Sequence, residues 1–259
     1  MNDVITSLQN TRVKLAAALQ KSARARRQER KIPLEGARLI RDALLCGHVP
    51  DFVLYDLQTA DYELVAALQA TRAVLMPAAP DVIKHASETQ QPQGMIAVFP
   101  LPMPRMPRQP GRILILDAVR EPGNMGTLLR TAAAAGVEVV LLAPECVDPY
   151  NPKVLRAGMG AHFRLPLVEA AWTEIATYCE AVTVYLAAGD AEQPYSAVDW
   201  RSPHALIIGN EAHGARPAAR LNATRIAIPM AAGTESLNAA MAATVILFEA
   251  QRQHLAGPA

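Results

Sequence analysis

Residues 112–119, RILILDAV, form an apolar run centred on Ile113–Leu116 that ends in a polar turn, and a second such run, VEVVLLA, follows at 137–143 beyond an alanine-rich stretch. A strand that is apolar at every position must be covered on both faces, the condition of a parallel strand inside an α/β sheet. The stretch between the two runs predicts a helix over 126–135, with Asn124 as its N-cap and Gly136 as its C-terminal stop. The alternation continues downstream. Helices are expected near 152–158 and over 172–181, strands over 182–187, 204–209 and 225–230, and a long final helix from Leu237 to His254. Strands alternating with helices imply a parallel sheet with helices on both faces. Its ligands belong at the carboxyl ends of the strands.

Upstream, the proline-rich stretch PLPMPRMPRQPG (100–111) blocks both helix and sheet pairing and reads as a stiff linker. It divides the chain into an N-terminal domain, 1–99, and a larger domain, 112–259. The first contains two expected helices, TRVKLAAALQKSARARRQERK and LEGARLIRDALLCG, the second stopped by Gly47. DFVLYD, AVLM and MIAVF are its short strands, so this unit is also α/β. The net charge of the whole chain is only +1, yet residues 12–41 carry ten Lys or Arg against Glu29 and Glu35. A basic segment on a nearly neutral protein points to a polyanion such as nucleic acid, with Arg12, Lys14, Arg24, Arg26, Arg27, Arg30 and Arg38 as its candidate contacts. A merely solvated helix face is the alternative. Cys46, Cys146 and Cys179 are widely separated and the histidines lack metal-ligand spacing, so neither disulfides nor a metal site is expected, and the thiols suit a reducing cytoplasm. No apolar run is long enough for a membrane span.

Three strand ends carry polar, glycine-bearing loops. The first, REPGNMGTLLR, lacks both the G-x-G-x-x-G dinucleotide fingerprint and the Gly-Lys-Ser/Thr of a P-loop, which argues against a nicotinamide-dependent oxidoreductase. Arg130 lies six residues beyond Asn124 on a small, apolar helix, where burial would require a partner. The second loop, GNEAHGARP, follows Gly209 and carries Glu211 and Gly214. The third runs through Gly233, with Thr234 or Ser236 as the expected cap of the last helix and Asn238 in its first turn. Met241, Val245 and Phe248 form an apolar stripe on that helix, suited to packing or to a subunit interface.

In order and spacing these loops resemble the three motifs of the SpoU/TrmH family of RNA ribose 2′-O-methyltransferases, within the SPOUT class. Asn124, Gly126 and Arg130 match the first motif, IIGNEAHG the second, and Ile228-Pro229-Met230 with Ser236-Leu237-Asn238 the third. One departure is Glu121, where the family usually has aspartate. NTRVKLAAALQ, LEGARLIRDAL and ETQQPQGMIAVF resemble the small ribosomal-protein-like RNA-binding domain that precedes many family members, and NPKVLRAGMGAHFRLPL resembles the segment between motifs one and two. The resemblance implies a deep trefoil knot in the C-terminal domain, a homodimer built through that domain, and S-adenosylmethionine held by Gly209, Ile228, Met230 and Leu237 without a metal. It implies methyl transfer to a ribose 2′-hydroxyl, with Arg130, Asn124, Glu211, Ser236 and Asn238 at the reacting centre. Ribosomal RNA is the favoured substrate. Transfer RNA, a base methyltransferase of the same class, and a non-catalytic RNA-binding member of the fold remain open.

Overall fold

The computed structural model describes residues 3–103, 105–209, 221–231 and 236–257. The chain divides into two units, residues 1–103 with 150–163, and residues 104–149 with 164–259.

In the first unit the expected basic helix is two helices. Asn10 opens α1 (Thr11–Lys21) by accepting from the Arg12 amide at 2.9 Å. Ser22 is extended, so it ends α1 and caps α2 (Ala23–Glu29) through its hydroxyl, which accepts from the Ala25 amide at 3.2 Å. A serine that can satisfy a following helix competes well with continued helix at that position. Arg30 then turns left-handed, with φ 51°, into a strand, β1 (Lys31–Glu35), that the helical pattern conceals. The remaining elements are α3 (Ala37–Leu45), β2 (Phe52–Tyr55), α4 (Tyr62–Gln69), β3 (Val74–Pro77), α5 (Pro80–Ala86) and β4 (Met95–Pro100). The sheet order is β1-β4-β2-β3, with only β2 and β3 parallel. Pro33 is tolerated because β1 is an edge strand.

Strand period sorts the core into two layers. Met95, Ala97 and Phe99 of β4 join Ile32, Leu34, Val53, Ile40, Leu64 and Leu68 on one side, while Ile96 and Val98 join Val13, Leu19, Phe52, Leu54, Val82 and Ile83 on the other. Leu155 and Phe163 complete the first layer, with the Phe163 ring 5.9 Å from Phe99 and 4.8 Å from His48. They come from α7 (Pro152–Gly158) and the turn after it, so the division of the chain is not the single cut at the proline-rich stretch that the sequence suggests.

The second unit is a six-stranded, wholly parallel sheet in the order β10-β8-β9-β5-β6-β7. Its strands are β5 (Arg112–Asp117), β6 (Val139–Leu142), β7 (Leu167–Glu169), β8 (Thr183–Ala187), β9 (His204–Gly209) and β10 (Thr224–Ile226), and its helices are α6 (Pro122–Ala134), α8 (Trp172–Tyr178) and α9 (Ala239–Leu255). Ile113, Ile115, Val139, Leu141, Ala205 and Ile207 pack with Ile175 and Cys179 of α8. The intervening Leu114, Leu116, Val140, Leu206 and Ile208 are buried too, as two-sided cover requires. On α6 and α9, the Thr131 and Thr244 hydroxyls meet at 3.2 Å. Gly136 stops α6 as expected: its φ is +73°, and the Arg112 guanidinium lies 2.8 Å from where a Cβ would stand. A residue with a side chain would be strained there by that φ, while the flexible Arg112 side chain could move aside. β10 is half the length predicted, and β7 is an addition.

Candidate active site at the carboxyl edge of the parallel sheet

Because all six strands run the same way, the loops after β5, β9 and β10 leave from one edge. β5 and β9 are direct neighbours, with Asp117 paired to Gly209 at their last residues. Ala118 follows with φ 51°. That conformation is unusual for a residue with a side chain and costly enough to mark a constrained position. The chain then enters α6 at Pro122, one turn earlier than expected. Glu121 is the N-cap and its side chain makes no capping bond. Asn124 is therefore not the cap: it lies inside the first turn, half-buried. Arg130 is also not buried. It is exposed on a stripe with Gly123 and Ala134, so the expected buried partner is not needed.

The third loop brings a second correction. Asn238, expected inside the first turn of the last helix, is itself the N-cap of α9. Its Oδ1 accepts from the amides of Ala240 at 2.9 Å and Met241 at 3.4 Å. Ser236 precedes it, exposed, without the capping role assigned to it. The Asn238 Nδ2 donates to Asn124 Oδ1 at 3.1 Å, tying the first loop to the third across more than a hundred residues of sequence. Ile228, Met230 and Leu237 are half-buried beyond β10. Glu211, Gly214, Gly233 and Thr234 lie outside the described residues.

Gly209 tests whether a cofactor fits here. It has no left-handed backbone, and among the described residues an added Cβ would meet Asp117 alone, at an ordinary 3.7 Å. Among those residues neither conformation nor packing requires a glycine at this strand end, and its missing side chain leaves the backbone open to close approach. Asp117, which sequence reasoning passes over, borders that space; a carboxylate closing an otherwise apolar strand is its signal. Cys146 is set apart from the chemistry. Burial pushes its thiol up to about 11, and Sγ donates to the Leu116 carbonyl at 3.3 Å. It is therefore no thiolate nucleophile at neutral pH. Among the described residues no cluster of three or more His, Cys, Asp or Glu could hold a metal, and no helix is long and apolar enough to cross a membrane.

Of the basic residues assigned to RNA, Arg12, Lys14, Arg24, Arg27, Arg30 and Arg38 are exposed on the first unit. Arg12 lies 5.8 Å from the centre of the Phe52 ring. Arg26 is the exception. It is 3% exposed, and its guanidinium donates to the carbonyls of Leu19 and Gln20 at the end of α1. It serves the fold, not an RNA surface.

A sequence model of the SpoU rRNA Methylase family matches residues 111–248, and one of the MRM3-like substrate binding domain matches residues 10–97. The chain is 36% identical to the mitochondrial rRNA methyltransferase 3A of Danio rerio, over 95% of this chain and 69% of that protein. It is 32% identical to the 23S rRNA (guanosine(2553)-2′-O)-methyltransferase RlmP of Bacillus subtilis, over 83% of this chain and 86% of that one. Its fold matches the SpoU methyltransferase AviRb from Streptomyces viridochromogenes, solved in complex with the cofactor AdoMet, with a TM-score of 0.86 at 29% identity, over 96% of this chain and 100% of that one. With a wholly parallel sheet whose first and third loops meet at its carboxyl edge, and with the family match spanning more than half of its length, the chain belongs to the SpoU rRNA methylase family.

Proposed function

We propose that the chain is an S-adenosylmethionine-dependent methyltransferase acting on a ribose 2′-hydroxyl of ribosomal RNA. The observation that carries this reading is the Asn238–Asn124 bond, which brings two family motifs together at the carboxyl edge of the parallel sheet. S-adenosylmethionine supplies an electrophilic methyl group when bound, and Gly209, Ile228, Met230 and Leu237 hold it largely through backbone groups. Arg130, exposed and always charged, attracts the phosphate next to the target ribose and stabilises negative charge growing on the 2′-oxygen. A protonated guanidinium has no lone pair with which to take a proton, so the hydroxyl proton passes to water or to an RNA phosphate oxygen as the O–CH3 bond forms and the S–CH3 bond breaks. Asn124 orients the ribose, and Ser236 flanks it. Holding the hydroxyl in line with the methyl group supplies a large part of the rate.

The exposed arginines and lysines of the first unit hold RNA phosphates while the site selects one nucleotide. The exposed Met241, Val245 and Phe248 on α9 support a homodimer through the second unit. A trefoil knot there and a cytoplasmic location complete the proposal. The test incubates purified protein with labelled S-adenosylmethionine and unmodified large-subunit ribosomal RNA or transfer RNA, followed by nuclease digestion and mass analysis. A 2′-O-methylnucleoside from ribosomal RNA, absent with Arg130→Ala, is expected. A methylated base, or a product from transfer RNA alone, overturns the reading.

A further inference from the structure

We infer that Asn238 is a positioning residue that fixes the polarity of Asn124, so that Asn124 presents two N–H donors to an oxygen of the target ribose. The argument begins at the helix end. The first backbone amides of α9 point out of the helix and need an acceptor. Asn238 Oδ1 supplies it to Ala240 and Met241, which leaves only the Nδ2 end of that amide to face α6. A side-chain amide that offers N–H at 3.1 Å requires an acceptor opposite. The only acceptor on the Asn124 side chain is Oδ1. Two side chains whose oxygen and nitrogen ends are interchangeable in isolation are thus set, one after the other, by a backbone that is not interchangeable. The Asn124 Nδ2, with both hydrogens, is turned away from Asn238.

The result is a directional relay from the α9 backbone to Asn238 to Asn124. Its open end is a donor pair in the first turn of α6, the helix that also carries Arg130. Such donors hold an oxygen of the target ribose so that its 2′-hydroxyl, which gives its proton to water or to an RNA phosphate oxygen as the O–CH3 bond forms and the S–CH3 bond breaks, lies in line with the methyl group. The relay also couples helix capping to the site: whatever disturbs the third loop at Asn238 reaches the first loop through one bond.

This inference rests on the methyltransferase reading, and two aspartate variants separate the two. Asn124→Asp keeps an acceptor for Asn238 but offers no donor to the ribose. Asn238→Asp still caps α9, since aspartate is as good an N-cap as asparagine, but gives Asn124 nothing to accept. Both variants are expected to keep the wild-type melting temperature and the wild-type KM for S-adenosylmethionine. Each loses roughly 10²-fold in kcat at saturating, unmodified large-subunit ribosomal RNA. If Asn124→Asp retains kcat within about twofold of wild type, the asparagine only braces the two loops and the inference falls. Full kcat in Asn238→Asp overturns it equally. If wild-type protein forms no 2′-O-methylnucleoside, the methyltransferase reading has failed. The relay is then decided in the free protein by the side-chain amide resonances of ¹⁵N-labelled Asn124. Asn238→Asp shifts them if the relay exists, and leaves them in place if it does not.

Discussion

Arg26 offers the sharpest test of the division between folding and recognition in the basic segment. Replacing it with alanine removes a guanidinium that donates to two carbonyls at the end of α1, to Gln20 at 3.4 Å and to Leu19 over a shorter bond. Stem and charged head are both hidden, at 3% exposure, so water cannot replace those bonds without opening the α1–α2 junction. A charged hydrogen bond to a buried carbonyl is worth about 1.5–3 kcal/mol, and the long second bond about half of that. Arg26→Ala is therefore expected to cost ~3 kcal/mol. At about 2–4 °C per kcal/mol for a chain of this size, the melting temperature falls by roughly 10 °C. The assay pairs thermal unfolding with RNA binding measured across salt concentrations well below the melting range. Arg24 is an exposed neighbour and supplies the contrasting variant. Arg24→Ala leaves the melting temperature unchanged and lowers the slope of log K against log salt by about one unit. If Arg26→Ala melts like wild type and instead lowers the salt slope, the buried arginine is an RNA ligand and the structural assignment is wrong.

Three further outcomes are expected. Phe248→Asp places a charge in the exposed apolar stripe of α9 and should convert a dimer to a monomer in light scattering; a wild-type protein that is monomeric at micromolar concentration refutes the interface. Gly209→Val adds atoms where, among the described residues, Asp117 alone stands nearby at an ordinary contact distance, so folding is expected to survive while S-adenosylmethionine affinity falls at least about tenfold by calorimetry; unchanged affinity removes the cofactor from this strand end. Burial holds the His204 imidazole below its ordinary pKa, so the unfolded chain takes up the proton first as pH drops below about 6.5. Its contribution to stability is present above that pH and is lost below it, and the urea midpoint should fall between about pH 7.5 and about pH 5.5, less so in His204→Phe.

The parallel sheet is legible because its strands are apolar on both faces: 112–117, 139–142, 183–187 and 204–209 lie where the runs of Val, Ile and Leu lie. The first unit is harder. Its basic segment keeps helical composition through Arg30, and only Ser22 signals that one helix ends and another starts. Lys31–Glu35 is concealed for a related reason. Its charged ends and Pro33 look unlike a strand, yet an edge strand tolerates all three. Residues 150–163 show the limit of boundaries drawn from composition. Proline density marks where regular structure stops, but which core Leu155 and Phe163 fill is decided by packing alone.

The site is legible as residue types and not as roles. Asn124, beside Gly123 at a strand end, suits a cap and is not one, whereas Asn238, expected inside the first turn of the last helix, is the cap. Glu121 shows why. A helix can begin at Pro122 without a side-chain cap, since proline at its first positions lacks an N–H that would need one. Asn124 is thereby released from capping and becomes available to Asn238. On α9 no proline relieves the first turn, so Asn238 must cap, and its amide is oriented as a consequence. The two helix starts thus solve the same problem of unpaired amides differently, and the difference is what binds one asparagine to the backbone and the other to the first asparagine.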